Sequence, residues 1–190
     1  MIYIVRHGQT AGNKKNVMQG RGSDHPLNEN GIRQAEEARS WFEKEGIRIG
    51  KVYSSPLTRA MQTARLIAGD LEIVQDDRLL EMDYGPYEGM DLMKPAPEVM
   101  AFFSDFVNNP APEGMEQLAD VVARTGAFVE EIKALDGDVL ISTHAIAMKG
   151  ILEHLTPDSG GSYWSKYLGN CAVYAITVDG GQLGVPVELL

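Results

Sequence analysis

An arginine and a histidine stand side by side where an apolar run near the start of the chain ends. The run is Met1 to Val5, and Arg6 and His7 follow it directly. A strand end that turns polar as it meets solvent would explain either residue alone. The pair also suits an anion site, because arginine holds phosphate oxygens with a planar fork of donors and a neutral imidazole is a competent nucleophile near pH 7.

Three further residues occur where they could join this pair. Arg59 comes early in a predicted helix, His144 follows a predicted buried strand, and Glu81 precedes a loop rich in glycine and proline. Each of them alone is more often structural or solvent-exposed. Together they supply what phosphoryl transfer needs, namely cations for the charged oxygens, a nucleophile, and a carboxylic acid for the leaving alkoxide. The five residues are therefore predicted to converge on one site.

The elements that must position these residues alternate between strands and helices. Strands are predicted at residues 2–5, 51–54, 72–74, 138–142 and 171–178, with an edge strand at the end, and helices at 32–44, 57–68, 97–108, 115–135 and 146–155,. Ser55 and Pro56 are predicted as the N-cap and first turn of their helix, and residues 83–97 as a long loop. The alternation predicts a single α/β domain over residues 1–190, in which ligands bind beyond the carboxyl ends of the strands.

The composition and net charge limit the classes of partner that the protein can bind. The 190 residues are 44% hydrophobic and carry a net charge of −10, which argues against nucleic acid as a partner. The overall field repels anions, so an anion site must be built from cations gathered in one pocket. No apolar run approaches the length of a membrane span, and we find no signal-peptide pattern. These features predict a cytoplasmic protein without a membrane partner.

Cysteine and histidine usage bears on metals and cofactors. Cys171 is the one cysteine, so intrachain disulfides and cysteine-based zinc sites are excluded. The four histidines, at positions 7, 25, 144 and 154, lack the spacing of metal ligands,. We expect neither a metal nor a cofactor.

A set of motifs, taken in order, is much more specific than any one of them. The stretches VRHGQT with Asn13, DHPLNENGIRQA, SSPLTRAMQTA, LLEMDYGPYEG and ISTHA follow one another from residue 2 to about residue 150. In these motifs the chain resembles the histidine phosphatase superfamily, the phosphoglycerate mutase-like group. The resemblance implies a three-layer α/β/α sandwich with a mostly parallel central sheet, and a phosphohistidine intermediate.

The resemblance also implies a role for each matching residue. His7 would be the nucleophile, Arg6, Arg59 and His144 would bind the phosphoryl group, and Glu81 would donate the proton. Asn13 would reach a phosphate oxygen, and the remaining members of the implied phosphate-binding set are Gln19, Gly20 and Ala145.

The chain departs from the family pattern at two positions. Gly12 stands where the family usually has an aromatic residue, and Ala145 where the second histidine is usually followed by glycine. Alanine does not readily adopt a positive φ, so an altered backbone is expected after His144. Gly12 is expected to widen the mouth of the pocket.

The choice between hydrolysis and mutase chemistry depends on the segment over residues 83–112. It contains one cation, Lys94, and five acids, at positions 83, 88, 91, 98 and 105, among methionines and aromatic residues. This cover suits a small substrate with one phosphate and an organic remainder. It favours a metal-independent phosphomonoester phosphatase acting on a small phosphorylated metabolite through a phosphohistidine.

The alternatives are a cofactor-dependent phosphoglycerate mutase-type phosphotransferase, a phosphoprotein phosphatase, and a phosphate-binding module without turnover. The exposed face of the helix at 115–135 is compatible with a homodimer, but the sequence does not decide the oligomeric state.

Overall fold

A six-stranded sheet forms the centre of the protein. The computed structural model describes residues 1–190. The sheet contains strands β1 (Ile2–Arg6), β2 (Ile49–Ser54), β3 (Ile73–Gln75), β4 (Asp138–Thr143), β5 (Val173–Ile176) and β8 (Val187–Glu188). Their spatial order is β3-β2-β4-β1-β5-β8. The first four are mutually parallel, and β5 and β8 are antiparallel to their neighbours. A separate hairpin pairs β6 (Val178–Asp179) with β7 (Gln182–Leu183).

Helices cover both faces of this sheet. They are α1 (Ala11–Lys14), α2 (Glu29–Lys44), α3 (Thr58–Ala68), α4 (Pro97–Ser104), α5 (Leu118–Ile132) and α6 (Ala145–Leu155), and three short 3-10 turns lie at 77–79, 85–87 and 157–159. Successive residues of a strand point to opposite faces. Ile2 and Ile4 of β1 pack in one apolar cluster with α5 and α6, and Tyr3 and Val5 in another with α2 and α3. The predicted three-layer α/β/α sandwich with a mostly parallel sheet is confirmed.

A third apolar cluster lies outside these layers. It joins Met82 and Tyr84 to Val99 and Phe102 of α4 and to Ile146 in the first turn of α6, and it contains no strand residue. The cluster therefore packs α4 and the first turn of α6 against the segment that follows Glu81, and together they form a cap.

Several predicted element bounds need correction. The helix after β2 begins at Thr58 with Leu57 as its N-cap, so neither Ser55 nor Pro56 opens it. The Ser55 hydroxyl accepts the N–H of Leu57 at 3.3 Å and is also hydrogen-bonded to a histidine described below. The helix predicted at 97–108 ends at Ser104, because the carboxylate of Asp105 accepts from the next backbone N–H groups and forms a turn.

Elsewhere the differences lie at the ends of elements. The helix predicted at 115–135 spans Leu118–Ile132, and the strand predicted at 171–178 divides into β5 and β6. The predicted edge strand is present as β8, and the four-residue helix α1 was not predicted. In the structure no helix combines the length and apolar character needed to cross a bilayer.

Candidate active site

The two predicted active-site histidines lie next to each other because β1 and β4 are parallel neighbours. Arg6 is in register with Thr143, so His7 and His144 follow the two strands at the same edge of the sheet. The backbone N–H of His7 donates to the Thr143 carbonyl at 2.9 Å. The two imidazole centroids are 5.2 Å apart.

The ring of His7 has one nitrogen engaged and one free. Its Nδ1 is 2.7 Å from the carbonyl oxygen of Gly8, and since a carbonyl can only accept, Nδ1 carries the proton. Burial and the positive charges of Arg6 and Arg59 lower the pKa of His7 well below its ordinary value,. The ring is therefore neutral near pH 7, with the lone pair of Nε2 uncommitted.

His144 is completely buried and is held by Ser55. Its Nε2 is 2.8 Å from the Ser55 hydroxyl, while its Nδ1 is buried without a hydrogen-bond partner. Burial lowers the pKa of His144 well below its ordinary value, and the charge of Arg59 adds to this effect.

Two arginines bring positive charge to the histidines. Arg6 donates one terminal N–H to the Leu168 carbonyl. Arg59, the second residue of α3, is fully buried and donates to the carbonyl oxygens of Ser23 at 2.5 Å and Gly20 at 3.1 Å. The Nε atoms of both guanidinium groups are buried without partners.

These unpartnered nitrogens indicate the kind of ligand that the site accepts. Burying a cation or a donor without a partner is costly, and in this structure Arg6 Nε, Arg59 Nε and His144 Nδ1 share that condition. A phosphoryl group presents several anionic oxygens, which match such donors. The arrangement is therefore suited to an anionic ligand.

Glu81 is fixed by the first turn of α6. Its carboxylate accepts backbone N–H groups from Ile146 at 3.1 Å, Ala147 at 3.0 Å and Met82 at 2.9 Å. These free N–H groups at the helix N-terminus fix the position of the carboxyl oxygens. Glu81 is only 4% exposed, and that exposure is toward the pocket described next.

A cavity of about 350 Å³ opens beside His7. Six of the nine predicted site residues line it, namely Arg6, His7, Asn13, Gln19, Glu81 and Ala145, and the other lining residues are Val17, Met18, Tyr84, Leu92 and Phe103. Arg59 and His144 have no exposed surface and do not line the cavity. Gly20 also lies outside it, where its carbonyl accepts from Arg59.

Two carboxamides at the cavity wall are oriented by their acceptor ends. The Oδ1 of Asn13 accepts from the backbone N–H of Thr10 at 3.0 Å, and the Oε1 of Gln19 accepts from the Thr10 hydroxyl at 2.8 Å. The Nε2 of Gln19 is buried without a partner. Both side chains thus keep their N–H donors available to a ligand.

The expectation that Gly12 widens the mouth of the pocket was wrong. A Cβ atom at this position would lie 2.3 Å from the amide carbon of Gln19. The carboxamide of Gln19 therefore fills the space that a larger residue at position 12 would need.

The expected backbone change at Ala145 was also wrong. Ala145 is the first residue of α6, and His144, its N-cap, has an extended backbone with φ −125°. The non-glycine residues with positive φ are Asn16 and Cys171. No left-handed conformation is needed after His144, so alanine is accommodated without strain.

Residues that the sequence analysis missed support the predicted ones. Thr63, one turn after Arg59 in α3, accepts the N–H of Gly8 at 3.0 Å and donates to the Arg59 carbonyl at 2.8 Å. Its four-residue spacing from Arg59 was the available signal, because Thr hydroxyls often bond back one helical turn.

The segment after α6 is tied to the site at several points. The amide of Asn170 donates to the His7 carbonyl at 3.0 Å, and the buried Lys149 donates to the Trp164 carbonyl at 2.8 Å. Burial lowers the pKa of Lys149 to about 8. No sequence signal indicated these contacts, which depend on how residues 164–170 run past β1.

No group of three or more His, Cys, Asp or Glu side chains is placed to hold a metal ion. The Arg, Lys, Asp and Glu side chains that line the cavity are Arg6 and Glu81.

Comparison with known proteins gives a family match over most of the chain. The sequence model of the histidine phosphatase superfamily (branch 1) matches residues 2–187. "Putative phosphoserine phosphatase 2" of Hydrogenobacter thermophilus is 30% identical, with 94% of this chain and 90% of that protein covered. The 2,3-bisphosphoglycerate-dependent phosphoglycerate mutase of Parvibaculum lavamentivorans is 32% identical over 82% of this chain and 79% of its own.

Among solved structures, this chain is similar to a mutant phosphoserine phosphatase of Entamoeba histolytica in complex with phosphoserine. The TM-score is 0.82 at 24% identity, and 100% of this chain and 94% of the other are covered. At this identity the likeness concerns the fold. The similar proteins thus include both phosphatases and mutases that act on small phosphorylated metabolites.

Proposed function

Because the chain belongs to the histidine phosphatase superfamily, branch 1, we propose that it is a metal-independent phosphomonoester phosphatase acting through a phosphohistidine at His7. One observation carries the proposal. The proton of His7 is on Nδ1, bonded to the Gly8 carbonyl, so Nε2 is free, and the positive charges of Arg6 and of the fully buried Arg59 act on the ring. Their guanidinium groups supply the positive charge that a metal would otherwise provide.

In the first step, Nε2 of His7 attacks the phosphorus of the bound ester. The N–P bond forms as the bond to the leaving oxygen breaks, and the departing alkoxide takes a proton from the carboxylic acid form of Glu81. Arg6, Arg59 and His144 hold the equatorial oxygens, where charge is concentrated in the transition state.

In the second step, water replaces the alcohol. Glu81, now a carboxylate, accepts a proton from the water as its oxygen bonds to phosphorus. The N–P bond breaks and the electron pair returns to Nε2 of His7. Inorganic phosphate leaves, and each group is back in its starting state.

Hydrolysis rather than mutase chemistry is supported by the cavity wall. Arg6 is the one Lys or Arg side chain that lines the cavity, and Val17, Leu92 and Phe103 give part of its wall an apolar surface. A bisphosphate would need further cations there. The proposed substrate is therefore a small metabolite with one phosphate and a partly apolar remainder.

The test is turnover of p-nitrophenyl phosphate with EDTA present, comparing the wild type with His7→Ala. We expect turnover in the wild type and loss of at least about 1,000-fold in the variant, because no other nucleophile is placed at the phosphate. Brief reaction with ³²P-labelled ester should also label the wild type at an acid-labile, base-stable site. Substantial turnover by His7→Ala would contradict the assignment.

A mutase is the second candidate, since several similar proteins bear that name. It predicts interconversion of 3-phosphoglycerate and 2-phosphoglycerate when 2,3-bisphosphoglycerate is added. Net release of inorganic phosphate without interconversion would reject it. Binding of phosphate with no labelled histidine and no turnover would instead favour a module without catalysis.

A further inference from the structure

The loop at residues 20–23 is hydrogen-bonded to both Glu88 and Arg59. One carboxylate oxygen of Glu88 accepts the backbone N–H of Gly20 at 2.6 Å and the hydroxyl of Ser23 at 2.5 Å. The carbonyl oxygens of the same two residues, Gly20 and Ser23, accept from Arg59 at 3.1 Å and 2.5 Å. Glu88 and Arg59 therefore bind the same two residues, one through donors of the loop and the other through its acceptors.

The loop fits closely against this carboxylate. A Cβ atom at Gly20 would lie 2.4 Å from the Met82 carbonyl and 2.8 Å from Oε2 of Glu88. At Gly22 a Cβ would lie 3.2 Å from the Glu88 side chain. The approach requires a residue without a side chain at position 20, and it leaves the loop little freedom to move relative to Glu88.

The backbone that follows Glu88 is itself held in place by Met18. The N–H of Gly89 donates to the Met18 carbonyl at 3.0 Å, and the N–H of Met18 donates to the Met90 carbonyl at 2.9 Å. These hydrogen bonds join residues 89–90 to Met18, which precedes the loop at residues 20–23.

We propose that Glu88 is a positioning residue for Arg59, and that it acts through the loop at residues 20–23. This inference deepens the proposed function and rests on it. The two carbonyl contacts occupy one N–H on each terminal nitrogen of Arg59, and they orient the guanidinium so that its remaining donors meet the phosphoryl oxygens. Without the carboxylate, the loop carbonyls lose their fixed position and the orientation of Arg59 is lost with them.

Affinity for inorganic phosphate, measured by isothermal titration calorimetry, tests this role without needing turnover. Glu88→Ala should weaken the affinity about tenfold, which is the usual size of effect when a charge-assisted contact is lost. Glu88→Gln should stay within about threefold of the wild type, since its carbonyl oxygen can accept both bonds. Ser23→Ala is a milder variant that removes one bond and should weaken binding about threefold.

The chain provides a matched control in Glu153. Its carboxylate also accepts one serine hydroxyl and one backbone N–H, from Ser159 at 2.5 Å and Tyr163 at 2.7 Å. That loop makes no contact with Arg59. Glu153→Ala and Ser159→Ala should therefore leave phosphate affinity unchanged.

A double-mutant cycle separates positioning from a general effect on the fold. In an Arg59→Ala background, Glu88→Ala should cause no further loss of phosphate affinity, because there is no guanidinium left to orient. Losses that add in the double variant, or equal losses in the Glu88 and Glu153 variants, would overturn the proposal. If Glu88→Ala does not fold, the phosphate affinities of Ser23→Ala and Ser159→Ala are compared instead. Equal affinities in these two variants would overturn the proposal.

The outcome is independent of the catalytic assignment. Turnover by His7→Ala would defeat the proposed phosphohistidine, yet leave the phosphate titrations interpretable. Unchanged phosphate affinity in both Glu88→Ala and Ser23→Ala would defeat the positioning role, yet leave the phosphohistidine untouched.

Discussion

His7 and Glu81 show how strongly the site depends on backbone groups. The Gly8 carbonyl selects the protonated ring nitrogen of His7, and backbone N–H groups at the start of α6 hold the carboxylate of Glu81. Neither side chain relies on another ionisable group for its orientation. A substitution at either residue therefore changes both the chemistry and a set of backbone hydrogen bonds.

Glu81→Gln is an instructive case of this double effect. The amide cannot supply the proton, so the variant should slow hydrolysis of alkyl phosphates much more than that of p-nitrophenyl phosphate, whose leaving group needs little protonation. The amide NH₂ also faces a backbone N–H that the carboxylate accepted, so we expect a loss of about 1–3 kcal/mol in unfolding free energy.

Kinetics on both esters and urea unfolding of the same preparation check this expectation. Equal slowing of the two esters would show that Glu81 does not protonate the leaving group.

Ala145→Gly restores the residue that the family pattern usually has. Since Ala145 is in an ordinary helical turn, glycine brings no relief of strain there. We expect turnover within about twofold of the wild type and a decrease of about 0.5–1 kcal/mol in unfolding free energy, from the greater freedom of glycine in the unfolded chain. Thermal unfolding and steady-state kinetics measure the two effects, and a gain in stability would contradict the observed geometry.

At the scale of elements, the loop after β1 is set by contact with the start of α2. A Cβ at Gly8 would lie 2.5 Å from the Gly31 carbonyl, and a Cβ at Gly31 would lie 2.1 Å from the Gln9 carbonyl. The two backbones thus touch with no side chain between them. This contact determines the position of His7, which directly follows β1.

Gly31→Ala should disturb the site from a distance. The added methyl group must push α2 away from Gln9. We therefore expect the unfolding free energy to fall by about 1–3 kcal/mol and turnover to decrease. Gly50→Ala in β2 is the control, because a Cβ there has its nearest neighbour at 3.6 Å. Chemical unfolding and turnover of both variants test the point, and a Gly31→Ala protein as active and stable as the control would refute it.

The sequence was informative where one strand or helix carries its own pattern. The apolar runs before Arg6 and His144 predicted both strand ends and hence the meeting of the two histidines. Contacts between distant loops left no such pattern, so the link from Glu88 to Arg59 was not predicted. The Ser55-Pro56 pair was misleading about the start of the helix, because the Ser55 hydroxyl bonds His144 and the N–H of Leu57 while the helix begins at Thr58.

At the scale of the whole molecule, an acidic protein with a net charge of −10 surrounds a small group of buried basic residues. His7, Arg59 and His144 are all nearly or fully inaccessible. Burial keeps the two imidazoles neutral, so the fold is sensitive to conditions that would charge them.

The free energy of unfolding should therefore decrease on acidification. Both histidines have a pKa well below the ordinary value when folded, whereas in the unfolded chain they titrate near 6.5. Below about pH 6.5 the unfolded state takes up protons that the folded state does not, and stability falls by up to about 1.4 kcal/mol per pH unit for each histidine.

Urea unfolding between pH 7.5 and 5 compares the wild type with His7→Asn and His144→Asn. Each variant should show a shallower slope than the wild type below pH 6.5. Parallel slopes in all three proteins would show that the histidines do not carry the effect.

The order of strands in the sheet also has a consequence for biosynthesis. β1 pairs only with β4 and β5, so its neighbours are translated more than 130 residues after it. A growing chain on the ribosome holds Arg6 and His7 long before the segment bearing His144 emerges. Anion binding by the complete site cannot begin before the segment bearing His144 has emerged, and the unpaired apolar strand needs shielding until residues 138–143 have left the exit tunnel.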